Sequence, residues 1–271
     1  MGDIQSELIN NTMSTLTSYA SASARDSAAP AASNTGLCIF RSDTKAIEVS
    51  DGTNYLSYNN DGFAATYPTN TNSGNFDGIG DYVDFGTIAE LNSATNYSIT
   101  AWLRWNDFDG STGAFPIASG SSTTQRLAWY ASSNTVKFYV GSTVTITSSS
   151  LSTDTWYHFA YVKNGTTAIL YIDGSVDGTG TAAATTPTSG ANNFAVGTAT
   201  AFSGYYFDGY VDEVAVFDYA LTSTQVSSIY SNKEYFNPLS VWRFENDVTD
   251  EIGNYDGTNI GVTFSTTVKP Y

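Results

Sequence analysis

Acidic side chains are the groups in this sequence whose type and spacing could do chemistry. They gather in two short runs, VDEV (211–214) and DEIGNYDG (250–257). Adjacent carboxylates in an apolar strand need donors or a cation to offset desolvation. Carboxylates grouped in a loop suit a hard cation such as Ca²⁺, whose ligands are oxygens. The competing reading is Asx-turn and capping work, or plain surface solubility. Retaining glycoside hydrolysis would need two carboxylates about 5 Å apart, which a strand of the form E-x-D-x-E supplies. No such triplet occurs here. Strand alternation puts Asp212 and Glu213 on opposite faces, Asp212 with Val214 and Val216, Glu213 with Val211, Ala215 and Phe217.

The remaining reactive groups are few. His158, the single histidine, lies in WYHFAY among aromatics with no recognisable nucleophile beside it, which reads as structural. Cys38 is the single cysteine, so an intrachain disulfide and a thiolate zinc cluster are excluded. No Gly-rich loop joins a strand to a helix as a phosphate cradle; YIDGSVDGTGT is turn chemistry. The expectation is a protein that is not an enzyme. With 26 acidic residues against 10 basic, the net charge of −16 leaves no basic stripe for nucleic acid or anionic lipid. No apolar run approaches the length of a membrane span, and MGDIQSELIN lacks the layout of a signal peptide. The chain is therefore expected to assemble in a cytoplasm and to reach the outside, if it does, by another route.

The elements that must position these groups fall into three zones. In residues 1–35, Ile4, Leu8, Ile9, Met13, Leu16 and Ala20 recur at helical spacing, with Asp3 as N-cap, before a linker broken at Pro30. A lone helix of this length is marginal in water, so its apolar stripe calls for its own domain or for a partner. Residues 36–74 read as a small β-meander and connector: LCIF, AIEV and NYLSY separated by SDTK and SDGT. From residue 75 to 271, β-runs of six to ten residues follow one another with turns between, the pattern of an all-β sandwich or barrel. One helix interrupts them, LTSTQVSSIYSN, with Thr222 as cap and Leu221, Val226, Ile229 and Tyr230 as its apolar side.

Four of these pieces, in order, resemble the laminin-G-like, concanavalin-A-like jelly-roll family: FDGIGDYVDFG (76–86), YSITAWLRW (97–105), TWYHFAYVKNGTTAILYIDGSVDG (155–178) and GYYFDGYVDEVAVFDYALTSTQVSSIY (204–230). The resemblance implies a two-sheet antiparallel sandwich built to bind or display. The family's usual opening strand is missing before residue 75, and VWRFENDVTDEIGNYDGT (241–258) looks like it. The C-terminal strand 239–265 is thus expected to complete the sandwich, as in a circular permutation. Structural Ca²⁺ is common in that family near these two pieces, which implies a Ca²⁺ site at Asp212, Asp250 and Asn254. The family also implies glycan contact, with Phe202, Tyr205 and Tyr206 of ATAFSGYYF as the aromatic candidates.

The segment RSDTKAIEVSDGTNYLSY is similar to one found in bacteriophage tail fibres and other virion proteins. With the family above, it implies a phage virion protein, a fibre or surface decoration. Residues 1–60 would contact other virion proteins, a trimer is the first expectation, and the sandwich would attach to host-surface glycans. A ligand-free capsid or tail decoration and a cellular adhesion module are the alternatives.

Overall fold

The computed structural model describes residues 70–108, 113–121, 124–187, 193–199 and 204–271, and otherwise the backbone of strands at 17–19, 38–41, 46–50, 55–59 and 62–66. The chain divides into two compact units, one formed by 1–68 with 232–237, the other by 69–231 with 238–271.

The first unit contributes one sheet. Strands β1 (Thr17–Tyr19), β2 (Cys38–Arg41), β3 (Ala46–Ser50), β4 (Tyr55–Asn59) and β5 (Gly62–Thr66) lie in that order. β2 to β5 form an antiparallel meander, and β1 pairs in parallel with β2. Thr17–Tyr19 falls where the apolar spacing predicts the last turn of a helix, and it is a strand instead. A β-branched and an aromatic residue flank Ser18, and their preference for extended backbone with a ladder partner outweighs a marginal helical period. The rest of the expected helix lies outside the described residues.

The second unit is a sandwich. Its strands are β6 (Ser73–Asp77), β7 (Tyr82–Asp84), β8 (Asn96–Trp105), β9 (Ala114–Ser121), β10 (Thr124–Ser132), β11 (Thr135–Val140), β12 (Thr143–Thr147), β13 (Trp156–Asn164), β14 (Thr167–Ile172), β15 (Ser175–Thr181), β16 (Phe194–Val196) and β17 (Asp208–Phe217). Helix α1 (Ser223–Asn232) follows, and then β18 (Glu234–Phe236), which pairs with β5 and so belongs to the first unit. β19 (Ser240–Trp242), β20 (Thr258–Ile260) and β21 (Thr263–Ser265) close the list.

One sheet runs β12-β11-β10-β9-β16-β7-β20, the other β15-β14-β13-β8-β17-β6-β21, with β19 also paired to β17. The C-terminal segment expected to complete the sandwich joins both sheets: β19 pairs with β17, β20 with β7 and β21 with β6. β8 shows how sequence sets the layers. Tyr97, Ile99, Ala101, Leu103 and Trp105 enter the core, and Ser98, Thr100, Trp102 and Arg104 turn outward. In the facing sheet Trp129, Phe138 and Ile117 line the same core. Aromatic rings fill it, with Phe138 stacked on Tyr161 at 5.3 Å and Trp105 on Phe108 at 5.1 Å. The Tyr161 phenol bonds Thr145 Oγ1 at 2.9 Å, and burial pushes it up to about 12.

Strict alternation fails at one place. Along β17, Asp212 lies opposite Trp102 and Ala215 opposite Thr100, so Glu213 and Val214 together face a single residue of β8. This is a β-bulge, with Glu213 in left-handed backbone at φ 47°. Its extra residue reverses the expected faces. Val211, Val214 and Val216 all lie in the core, whereas Asp212 shares the outer face with Ala215 and Phe217.

Helix α1 begins as its sequence predicts. Thr222 Oγ1 accepts from Gln225 N–H at 3.2 Å, and Gln225 Oε1 accepts from Thr222 N–H at 2.8 Å, a reciprocal cap. Val226 and Ile229 are fully buried, and the Tyr230 ring meets Trp102 and His158 of the outer face at 5.6 and 5.8 Å.

Candidate functional site

The outward faces of the two sheets carry the candidate residues. On the seven-stranded sheet, the register aligns one row across five strands: Tyr139, Ala128, Ala118, Ala195 and Asp84. Alternation puts this row opposite the core side of the same strands, where Trp129 and Phe138 sit. Three alanines in succession leave a low strip, and larger rings stand beside it. Phe115, Ala118, Ala128 and Ala199 form an apolar cluster separate from the main core, against which the half-buried Tyr130, Tyr139 and Tyr205 pack. Phe115 lies 5.1 Å from the Tyr130 ring and 5.8 Å from Tyr205, and Tyr130 lies 6.5 Å from Tyr205.

Tyr205 is tied into place through its backbone, its carbonyl accepting from Phe115 N–H at 3.2 Å. Gly113, at φ 70°, is required beside it, because a β-carbon there would collide with the Tyr130 hydroxyl. Burial, and then the charge of the neighbouring Tyr130 phenol, push the Tyr139 phenol up from its ordinary value. At the far end of the row, Asp84 accepts from Gly86 N–H and from Asn193 Nδ2, each at 2.8 Å. Such a face offers rings for apolar stacking and phenols as donors and acceptors.

Of the three aromatics expected to bind ligand, Tyr205 is part of this cluster. Tyr206 is half-buried and precedes Phe207, which turns into the core against Trp105 at 5.6 Å. Phe202 lies outside the described residues. Tyr130, Tyr139 and Phe115 were not among the expected residues. The signal for two of them was present, since in LAWYAS and VKFYV the tyrosines alternate with the core residues Trp129 and Phe138.

On the eight-stranded sheet the outer face is charged and buried. Asp212 is fully buried; its Oδ2 accepts from Asn70 Nδ2 at 2.7 Å and its Oδ1 from the N–H of Glu213 at 2.8 Å. Desolvation first, and then the Glu213 charge, hold the Asp212 carboxyl well above the usual carboxylate range. Arg243 sits beside them, with Nε 3.1 Å from Glu213 Oε1 and a terminal nitrogen 3.3 Å from Glu245 Oε1. Burial opposes its charge, but Glu213 and Glu245 outweigh that and keep the guanidinium protonated. His158 is buried on this face between the Trp102 and Tyr230 rings, as a structural histidine would be.

The residues expected to hold Ca²⁺ are engaged by the protein's own donors. Asp250 Oδ1 accepts from Val241 and Ile252 N–H, and Oδ2 from Asn254 and Tyr255 N–H, at 2.9 to 3.1 Å. Four N–H dipoles converging on one carboxylate already satisfy its negative charge and direct their positive ends where a cation would sit. The Asn254 side chain donates to Leu239 O at 3.0 Å instead of offering its oxygen inward. Asp212 has its own, different donors. DEIGNYDG is an Asx-centred turn, the alternative its sequence left open, and among the described residues no acidic or histidine cluster suits a metal.

Comparison with known proteins bears on the sandwich. Residues 76–227 match the model of the concanavalin A-like lectin/glucanases superfamily. No curated protein sequence matches the chain. Among solved structures, a candidate carbohydrate-binding protein from Bacteroides ovatus superposes with a TM-score of 0.59 at 16% identity, covering 74% of this chain and 61% of that one. The heptameric SAP-like pentraxin from Limulus polyphemus superposes with a TM-score of 0.55 at 15% identity, covering 74% of this chain and 97% of the pentraxin. At such identities the likeness is one of fold, and the chain spans about three-fifths of the Bacteroides protein. With more than half of its length inside the family match and a two-sheet antiparallel sandwich around it, the chain belongs to the concanavalin A-like lectin/glucanase superfamily, in its laminin-G-like form.

Proposed function

We propose that the chain is a non-catalytic carbohydrate-binding protein whose ligand lies on the outer face of the seven-stranded sheet, against Tyr130, Tyr139 and Tyr205. One observation carries this reading: three half-buried tyrosines and Phe115 gather on an alanine-floored strip outside the main core. Aromatic residues turned away from a core that is already complete have no folding role as large as the one they fill in binding a ring. A fold shared with a candidate carbohydrate-binding protein supports the ligand class. Binding rather than catalysis is favoured by the adjacent acids of the sandwich. Asp212 and Glu213 are buried and each is engaged by a donor, Asn70 or Arg243, rather than poised as an acid and a nucleophile.

The setting we propose is a phage particle, with residues 1–60 docking on other virion proteins and the sandwich meeting host-surface glycans. This part rests on the tail-fibre-like segment at 41–58. The test is a glycan array with the whole chain, alongside Tyr130→Ala and Tyr205→Ala variants, followed by adsorption to host cells. Saccharide binding that both substitutions weaken supports the reading. A folded protein with no saccharide signal overturns it and leaves the ligand-free decoration role.

A further inference from the structure

The outer face of the eight-stranded sheet is crossed by the segment 266–271, which follows β21 without regular structure. Hydrogen bonds hold it to the sheet. Ser73 Oγ donates to Val268 O, Lys269 Nζ donates to Asn70 O at 3.0 Å, and the Tyr271 hydroxyl donates to Glu213 Oε1 at 2.9 Å. The Tyr271 ring meets Trp102 edge-on at 6.0 Å, and the Asn70 amide lies within reach of its phenol.

The receiving residues are an unusual set for a packing contact. A tryptophan ring lies beside a carboxylate already fixed by Arg243. Asn70 is fully buried, and its Oδ1 accepts no hydrogen bond although its Nδ2 is spent on Asp212. An unmet acceptor in the interior costs free energy and marks a place where a further donor would be accommodated. Tyr271 itself is 44% exposed although its hydroxyl reaches a carboxylate that is 1% exposed. The side chain is thus partly in water, with its hydroxyl on Glu213 and its ring against Trp102.

We propose that Trp102, Glu213, Arg243 and Asn70 form a second saccharide site, which the chain's own Tyr271 occupies as a stand-in ligand. Its phenol plays the part of a sugar hydroxyl on a carboxylate, and its ring the part of a pyranose against tryptophan. The site takes a neutral hydroxylated ring. Glu213 and Glu245 both lie on Arg243 and more than offset its single charge, so an anionic sugar would be repelled. Asn70 Oδ1 gives a second hydroxyl its acceptor. This proposal is independent of the tyrosine strip on the other sheet, which lies on the opposite side of the core.

The test compares wild type, Tyr271→Ala and Tyr271→Phe on an array of neutral and uronic-acid-bearing oligosaccharides, with acrylamide quenching of tryptophan emission alongside. Tyr271→Ala should bind neutral saccharides at least about tenfold more tightly than wild type, a change of about 1.4 kcal/mol. Its tryptophan emission should be more accessible, and Tyr130→Ala should leave the gained binding intact. Tyr271→Phe, which keeps the ring and drops the hydroxyl, should show a smaller gain, and it decides the matter if Tyr271→Ala does not fold. Binding unchanged in the folded variants overturns the proposal, as does a gain that Tyr130→Ala abolishes. Loss of wild-type binding in Tyr130→Ala bears only on the strip.

Discussion

The two outward faces of this sandwich obey the same alternation and end in opposite chemistry. On the seven-stranded sheet the outward residues are alanine and tyrosine, and the rings remain half-buried. On the eight-stranded sheet they are Trp102, His158, Asp212 and, displaced by the bulge, Glu213, and helix α1 and residues 266–271 lie over them. The first face is apolar and keeps part of its surface in water. The second is charged and sealed. Outward orientation therefore does not determine exposure; what is laid over the strand does. Carboxylates under such a cover must find cations and donors inside the protein, whereas tyrosines at an open surface are at liberty to find partners outside it.

Substitutions that exchange these properties test the contrast. The largest effect belongs to Arg243→Met, which strands Glu213 in the interior without its guanidinium; a loss of about 3–5 kcal/mol in chemical denaturation is expected. A loss under 1 kcal/mol would mean that water already reaches the acids and that the face is not sealed. Asp250→Ala comes next. It removes the acceptor for four backbone N–H groups in the turn that carries β19 toward β20, and about 2–4 kcal/mol should be lost. Addition of Ca²⁺ or EDTA should leave the melting temperature of the unaltered protein where it was.

On the other face, Tyr130→Ala should reduce saccharide affinity about tenfold, about 1.4 kcal/mol, while changing stability by less than about 1 kcal/mol. Titration on an array and thermal melts of one preparation would separate the two. The smallest effect is that of pH. The folded-state pKa of Asp212 lies above its unfolded value, so the folded protein holds the extra proton between the two. Its contribution to stability is fully present below the ordinary carboxylate range and is lost as pH rises through the raised value. Asp81, Asp173 and Glu251, also raised chiefly by burial, act in the same direction. Asp212→Asn should flatten this dependence in urea melts from acid to neutral pH. An unaltered slope would place the titration elsewhere.

The sandwich was legible because its signals are local and repeated. LAWYAS, VKFYV and YSITAWLRW each state their two faces, and Thr222 with Gln225 announces the start of α1. A displaced family strand pointed to 239–265 as part of the sandwich, but not to its division into three short strands that join both sheets. The bulge was not. Nothing in VDEV marks an inserted residue, and extrapolating a period of two through it misassigns both acids. The outer aromatic cluster was half legible. Tyr205 announced itself as a loop aromatic, but Phe115 and Tyr130 join it only through pairing across strands far apart in sequence. Asp250 illustrates the limit of composition, because an acidic loop that suits a cation also suits four amides, and composition does not show the amides that meet it.

The pairing of β18 with β5 has a consequence for the order in which this protein is made. A ribosome releases β1 to β5 early, but their sheet gains its last strand only after the whole family-matched block has emerged. Until then β5 has an unpaired edge, open to any strand that passes. The sandwich needs β19 to β21, which emerge later still. Neither unit can finish before translation has moved well past residue 230, so the nascent chain spends most of its synthesis as two unfinished units that wait on the same stretch of messenger.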